Sequence, residues 1–330
     1  MPTRAAGSFP RSMVLVACAL ALSAELAAGQ KKDTKPSQKD ISRELKELYD
    51  SDHKDQEDPN WNETTDLEYS RRQKVRRDRV MEIIEAGMLA DLQDWDNAAL
   101  LLQHGESADD FLLAHILSIP SGMEDTPFGK FMCAATLDRF LQNCSRPQIF
   151  TTQSGAADPS VYAPAEPFDD SMSQALRAVF GLEPVRGKPK IESKNSKGAS
   201  AKELPKLLQL SGKEKEPVAG QEAPDWLGRT REIVLSGALK TDKEFDTAAH
   251  ILLASKSPDD LLSAHVLAMG AAFKARTPVS RAFCAETLDR FLLAIGRKQR
   301  FDTVRENGAP REPRMPLQEF ILREYGLAGR

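Results

Sequence analysis

The chain has few of the residues that usually supply covalent cross-links or aromatic packing. Its 330 residues include four cysteines, five histidines and only 6% aromatic residues. Three cysteines follow the N-terminal segment, namely Cys133, Cys144 and Cys284, and this odd number argues against a disulfide framework. We expect Cys133 and Cys284 to fill helix cores as small apolar residues. Sparse aromatics with abundant leucine and alanine favour an all-α protein over a sheet protein.

A strong charge imbalance and the familiar catalytic motifs are also missing. The net charge is −4, and only the stretch 71–79 resembles the basic footprint of a nucleic-acid binder. The chain has no His-Glu-x-x-His, no closely paired cysteines and no Gly-x-Ser-x-Gly turn. We therefore expect no nucleic-acid partner, no metal and no cofactor.

Long apolar runs are missing except at the N-terminus. There, Arg4 and Arg11 precede an apolar run over 13–28, which ends in Ala-Ala-Gly. This pattern predicts a signal peptide over 1–29 and export to the periplasm or beyond. Leu-Val-Ala-Cys resembles a lipobox, so lipid anchoring through Cys18 is the alternative. No later run is long enough for a transmembrane helix in the mature chain.

The most informative feature is an internal repetition. Cys-Ala-Ala-Thr-Leu-Asp-Arg-Phe-Leu at 133–141 returns as Cys-Ala-Glu-Thr-Leu-Asp-Arg-Phe-Leu at 284–292. The surrounding apolar pattern has helical periodicity in both places. The sequence predicts two homologous units of about five helices each, over 67–185 and 225–330.

The segments outside these units are rich in charged and small residues. Residues 30–66 are predicted to be a disordered tether, with at most a fleeting helix around 42–49. Residues 186–224 are predicted to be a flexible linker, in which the patch 204–210 is able to dock as a short helix.

Each unit places one imidazole and one carboxylate on an apolar helix face. Because an unpaired buried carboxylate is costly, we expect each to meet a donor. The predicted structural pairs are His115 with Asp138 and His265 with Asp289, with the arginine after each aspartate as a competing donor. Such a pair is also half of a nucleophilic triad, although no suitable nucleophile accompanies it.

Other polar residues occur in the first unit alone. Gln103 and His104 correspond to Leu253 and Ala254, and Gln153 corresponds to Val304. A polar pocket is therefore expected in the first unit, with the second serving as a scaffold. Its candidate residues are Gln103, His104, Asp138, Arg139, Gln148 and Gln153. The simpler interpretation of His104 is a helix C-terminal cap.

These residues resemble the motifs of an uncharacterised bacterial all-helical domain family. Its members combine a Gln-His element, an Asp-Arg helix and a Gln-Arg-Tyr/Phe-Gly-Thr-Gln loop. The first unit matches at 103–104, 138–139, 148, 150 and 152–153, but Ile149 and Thr151 replace the Arg and the Gly. The second unit keeps Asp-Arg and Gln-Arg-Phe but lacks the Gln-His element, the Gly and the last Gln. The resemblance implies a tandem all-α protein and no known reaction.

Three functions follow as hypotheses. The first is an exported helical-repeat binding or interaction protein, whose ligand is an unknown protein or small molecule. The second is a hydrolase-like or small-molecule site in the first unit, which requires His104 and Gln153 to converge on one accessible pocket. The third is a structural protein of the periplasm, which needs no pocket.

Overall fold

The fold is described here from a computed structural model. It describes residues 36–57, 67–155, 163–169, 172–183, 198–212, 225–306, 309–310 and 317–328. The predicted signal peptide and Cys18 lie outside these residues. The helices are α1 Gln38–Gln56, α2 Leu67–Glu85, α3 Leu92–Gln103, α4 Ala108–Met123, α5 Pro127–Asn143, α6 Gln174–Val179, α7 Leu204–Ser211, α8 Asp225–Leu235, α9 Asp242–Leu252, α10 Pro258–Ala275, α11 Pro278–Ala294 and α12 Glu319–Glu324.

The predicted all-α class is confirmed. The only strands in the described part are β1 Arg305–Glu306 and β2 Ala309–Pro310, which form a minimal antiparallel pair. Residues 38–330 form one compact unit. No helix in the described ranges combines the length and the apolar character needed to cross a bilayer.

Local sequence signals position the central helices. Ser107 caps α4 in a reciprocal capping box with Asp110, as the sequence predicts. Thr126 and Thr277 cap α5 and α11, and a proline follows each threonine at the first helical position. Capping oxygens satisfy amides that have no partner within the helix, and proline there loses no hydrogen bond. These helix starts are therefore encoded locally.

The predicted disordered tether over 30–66 is wrong for 38–56, which form α1. Ile41 and Leu45 are fully buried, and Leu48 packs against the same core. These residues recur at helical spacing, so they make one apolar stripe on an otherwise charged helix. The average composition of the segment conceals this stripe. Glu44 also holds α1 to α2, because it accepts two hydrogen bonds from Arg79 at 2.6 and 2.9 Å.

The predicted flexible linker is also ordered in part. A 3-10 turn at Ala201–Glu203 continues into α7, in which Leu204 and Leu207 are buried. Glu203 accepts two hydrogen bonds from Arg229, both at 2.9 Å. In the described part, the predicted ranges 67–185 and 225–330 contain five helices each, α2–α6 and α8–α12, and α1 and α7 each precede one of these sets. We call α1–α6 the first half and α7–α12 the second half. The rest of the predicted tether and linker lies outside the described residues.

The last helix of each half packs against the other half. Ala175 of α6 lies next to Gly237, and Phe320 of α12 lies next to Gly87. Phe320 also meets Trp95 edge-on, with ring centroids 5.7 Å apart. We call α6 and α12 the exchanged helices. They bind the two halves into one core.

Ion pairs between the halves are reciprocal. Arg146 pairs with Asp259 at 2.5 Å, and Arg297 pairs with Asp109 at 2.8 Å. Arg297 is the counterpart of Arg146, 151 positions later in the chain, and Asp259 is the counterpart of Asp109, 150 positions later. The two guanidinium groups also lie over equivalent rings, at 5.9 Å from the Phe291 centroid and 5.5 Å from the Phe140 centroid. An interface in which each contact has a mirrored counterpart is typical of a twofold dimer.

Candidate functional site

The imidazole–carboxylate pairs predicted from the sequence are wrong. His115 donates from Nδ1 to the carbonyl oxygen of Cys133 at 2.9 Å, and its Nε2 lies 3.0 Å from Nε2 of His265. The two histidines thus pair with each other between α4 and α10. Sequence spacing placed both rings on apolar faces correctly, but it did not reveal that these faces meet each other.

Asp138 accepts hydrogen bonds that hold the loop after α5 in place. Its Oδ1 accepts from the backbone amides of Ile149 and Phe150 at 2.8 and 2.9 Å. Its Oδ2 accepts from the amide and the hydroxyl of Thr152 at 2.8 and 2.7 Å. Burial raises the pKa of this carboxyl above its ordinary value although these hydrogen bonds lower it. Asp138 is therefore a loop clamp and not a histidine partner.

Asp289 has the same role in the second half. It accepts from the amides of Arg300, Phe301 and Thr303 and from the Thr303 hydroxyl, at 2.6 to 3.2 Å. Burial raises its pKa as well. The predicted pair with His265 is replaced by this clamp.

Gln148 also has a structural role. Its side-chain oxygen accepts from the amide of Gln153 at 3.0 Å, and its side-chain nitrogen donates to the Gln153 carbonyl at 3.0 Å. Gln299 and Val304 repeat this exchange at 3.2 and 3.3 Å. Because the second half keeps the contact without a polar side chain at 304, the contact shapes the loop in both places.

Arg139 joins the loop to the end of α3. Its Nε donates to Oε1 of Gln153 at 2.9 Å, and its Nη1 donates to the carbonyl oxygen of Gln103 at 2.7 Å. Gln103 is followed at once by His104, so the guanidinium brings these predicted residues together. Arg139 therefore contacts two of the predicted site residues, Gln103 and Gln153.

His104 is both a cap and part of a polar network. It occupies the C-cap position of α3, as its simpler interpretation predicts. Its Nδ1 lies 2.9 Å from Oδ2 of Asp52, and the side-chain amide of Gln56 lies 3.1 and 3.2 Å from the two ring nitrogens. The amide of Gln103 lies 3.4 Å from Nε2. The first-half polar site consists of Asp52, Gln103, His104, Arg139 and Gln153.

The residues predicted from the sequence did not include Asp52 or the side chains that contact its carboxylate. Asp52 is fully buried although it belongs to α1. Gln73 donates to Oδ1, and Nη1 of Arg76 lies 3.5 Å from the same oxygen. This Nη1 is buried and makes no hydrogen bond within the described part of the chain. A signal was present, because Gln73 and Arg76 are three positions apart and share a helix face.

These contacts determine which nitrogen of the neutral His104 ring carries the proton. The Asp52 carboxylate accepts only, so the neutral ring carries its proton on Nδ1 and leaves Nε2 as an acceptor. Amide nitrogens of Gln56 and Gln103 then face Nε2 at 3.2 and 3.4 Å. The His104 side chain is 13% exposed, so this nitrogen sits close to solvent.

The second half lacks this network. Leu253, Ala254 and Val304 stand where the first half has Gln103, His104 and Gln153. Arg290 is directed elsewhere, since its Nε and Nη2 donate to Oε1 of Glu286 at 3.2 and 3.0 Å. Among the described residues, no three His, Cys, Asp or Glu side chains are grouped so that they could hold a metal ion.

Comparison of the chain with protein-family models, with curated proteins and with solved structures finds no match. Among the described residues, the polar network around His104 has no counterpart in the second half, whereas the contacts of Asp138 and Gln148 recur at Asp289 and Gln299.

Proposed function

We propose that this chain is a helical binding protein whose first half holds a small polar ligand, with the second half acting as a scaffold. The observation that supports it best is the Arg139 bridge, which links Gln153 to Gln103 and His104 in one network. The contacts shared by both halves maintain the fold, so the network found in one half alone is the part available for a separate role.

The donors at the site favour a ligand rich in hydrogen-bond acceptors. The amides of Gln56 and Gln103 face His104, and the Arg139 guanidinium donates to the Gln103 carbonyl, while the Asp52 carboxylate is buried behind His104 under Gln73 and Arg76. Gln103, His104, Arg139 and Gln153 are only partly buried. A ligand group that donates to Nε2 of His104 can replace the Gln56 and Gln103 contacts there, and the freed amides can then donate to acceptors of the ligand without exposing the carboxylate.

Native mass spectrometry of the full-length exported protein tests this binding role. We expect a retained small-molecule mass in the wild type that Arg139→Ala removes. Arg290→Ala is the matched control, because it removes the equivalent guanidinium from the second half and should leave the bound mass unchanged. The proposal is wrong if the wild type carries no added mass and sugars, amino acids and organic acids leave its imidazole ¹⁵N signals unmoved.

A hydrolase-like reaction is the second candidate. The specific observation is the 2.9 Å contact between Asp52 and Nδ1 of His104, which orients the ring with Nε2 as an acceptor. An imidazole held in this way can take a proton from a water molecule. Turnover of p-nitrophenyl esters that is lost in His104→Ala and retained in His250→Ala would support it; equal rates in both variants would contradict it.

Export, duplication and family membership belong to the same proposal. The N-terminal pattern supports cleavage after residue 29, and the lipid anchor at Cys18 is the alternative. The mass of the mature N-terminus distinguishes these outcomes. The reciprocal ion pairs, in which each residue has its counterpart 150 or 151 positions away in the other pair, support a tandem origin. The matching motif residues support membership of the uncharacterised bacterial family.

A further inference from the structure

A second cleft lies between the two halves of the chain, away from the first-half polar site. It has a volume of about 590 Å³, and α6, the start of α9 and the end of α10 contribute its walls. Its lining contains the exchanged helix of the first half, so the cleft exists only because the halves pack together.

The charge of this cleft opposes that of the chain. Lys130, Lys240, Lys274 and Arg276 line it, and among the described residues of its lining Asp125 alone is acidic. The chain as a whole has a net charge of −4. Cations gathered in a concave surface with apolar walls create a positive potential that attracts anions.

Contacts with neighbouring groups hold three of these cations. Asp125 pairs with Lys130 and, at 2.8 Å, with Arg276. Nζ of Lys240 donates to the carbonyl oxygen of Gly237 at 2.8 Å. One carboxylate therefore serves two cations, and the lining keeps an excess of positive charge.

The remaining lining is apolar. Leu239, Phe245 and Phe273 are buried at the cleft, with exposures of 4%, 2% and 3%. Nζ of Lys274 lies 5.9 Å from the Phe245 ring centroid. Ala178 of α6 lines the cleft and is exposed. Apolar surface and cations therefore lie side by side.

We propose that this cleft binds a small amphipathic organic anion. The apolar body of the ligand lies against Ala178 and Val179 of α6, which are exposed and partly exposed, and its carboxylate or sulfonate lies among Lys240, Lys274 and Arg276. A cleft of about 720 Å³ elsewhere in the second half is lined by Asp242, Asp246 and Glu286. That cleft has the opposite charge and would repel the same ligand.

Fluorescence titration of the full-length protein with 8-anilinonaphthalene-1-sulfonate tests this inference. We expect saturable binding of one probe, weakened by added salt because the contact is ionic. Ala178→Glu places a carboxylate in the cleft without removing a buried group, and we expect at least about a tenfold loss of affinity. Lys274→Gln should weaken binding by a smaller factor.

Gln174→Glu is the matched control, since it adds the same charge to the same helix at an exposed position outside the cleft lining. Because its charge lies one helical turn from position 178, it should weaken binding by clearly less than Ala178→Glu does. The inference is overturned if no saturable binding occurs, if Ala178→Glu binds as well as the wild type, or if Gln174→Glu weakens binding equally. Unchanged circular dichroism in both variants confirms that they fold.

Discussion

The Nε2 atoms of His115 and His265 lie 3.0 Å apart in the centre of the protein, and both side chains are fully buried. The Cys133 carbonyl can only accept, so neutral His115 carries its proton on Nδ1 and accepts at Nε2. His265 then donates from Nε2, and its Nδ1 accepts from the Thr287 hydroxyl at 3.0 Å. The pair is thus a one-way chain of hydrogen bonds between neutral rings.

Acid should destabilise the protein through this pair. Burial lowers the pKa of His115 to about 4, and burial together with His115 lowers that of His265 well below its ordinary value. The unfolded rings take up protons near pH 6.5, whereas folded His115 does so only at about pH 4 and folded His265 only well below its ordinary pKa. The contribution of this pair to the free energy of unfolding should therefore fall as the pH drops through this window, by about 1.4 kcal/mol per pH unit for each ring, while the raised pKa values of the buried carboxyls Asp96, Asp138 and Asp289 act in the opposite direction. Urea denaturation between pH 7 and 4 measures this slope.

His265→Gln should reduce the slope by the contribution of one ring. His250→Gln is the control, because hydrogen bonding to Asp246 raises the pKa of His250. The stability that protonated His250 contributes to the fold is fully present below pH 6.5, and it is lost only as the pH rises through the raised pKa. Its removal should leave the acid slope intact, and an equal effect of both variants would contradict the prediction.

Removing the Asp138 clamp should unfold the loop that carries Gln148 and Gln153. Asp138→Ala leaves three backbone amides without their acceptor, so we expect a loss of about 3–5 kcal/mol in urea denaturation. Asp289→Ala should cost a similar amount. Asp78→Ala, at an exposed position of α2, is the control and should cost less than about 0.5 kcal/mol. A loss of stability for Asp138→Ala no larger than this would refute the role of Asp138 as a clamp.

The two reciprocal ion pairs should differ in strength. Asp259 is 83% exposed in its pair with Arg146, whereas Asp109 is 46% exposed in its pair with Arg297. Double-mutant cycles should give a coupling of about 0.5–1 kcal/mol for Arg297 and Asp109, and less for the other pair, because solvent screens exposed charges. The reverse order would show that exposure does not set their strength.

Two glycines should respond oppositely to alanine. A Cβ at Gly129 would lie 2.5 Å from the backbone nitrogen of Gly122, whereas one at Gly228 meets nothing within 4 Å. Gly129→Ala should force α4 and α5 apart and lower the melting temperature by several degrees. Gly228→Ala lies inside α8 and should add about 0.5–1 kcal/mol. Thermal unfolding of both variants checks the contrast, and a shift of the same sign in both would contradict it.

Sequence patterns were sufficient where the information is local. Ser107 caps α4, and its sequence, with acidic residues in the next helical turn, is a local start signal. The apolar periods give the all-α class. They were insufficient for α1 and α7, whose short apolar stripes gain stability only by packing on other helices. Helix propensity and composition do not contain that tertiary contribution.

For the candidate site, the sequence identified participating residues more successfully than it identified their hydrogen-bond partners. Arg139 contacts Gln103 and Gln153, and Gln103 lies beside His104. Asymmetry between the units marked the two glutamines and His104, whereas Arg139 has Arg290 as its counterpart. Asp52 was missed because it reaches His104 from a position 52 residues earlier in the chain. No periodicity encodes such a contact, and the same reason explains why each histidine was assigned the wrong partner.

The exchanged helices have a consequence for assembly. Since α6 and α12 each pack against both halves, polypeptides 38–183 and 198–330 should need each other to fold, with each insoluble alone and soluble on coexpression. By the same geometry, α12 of one molecule fits the first half of a neighbour as well as its own. Refolding at high concentration should therefore yield interlocked dimers that dilution separates only slowly.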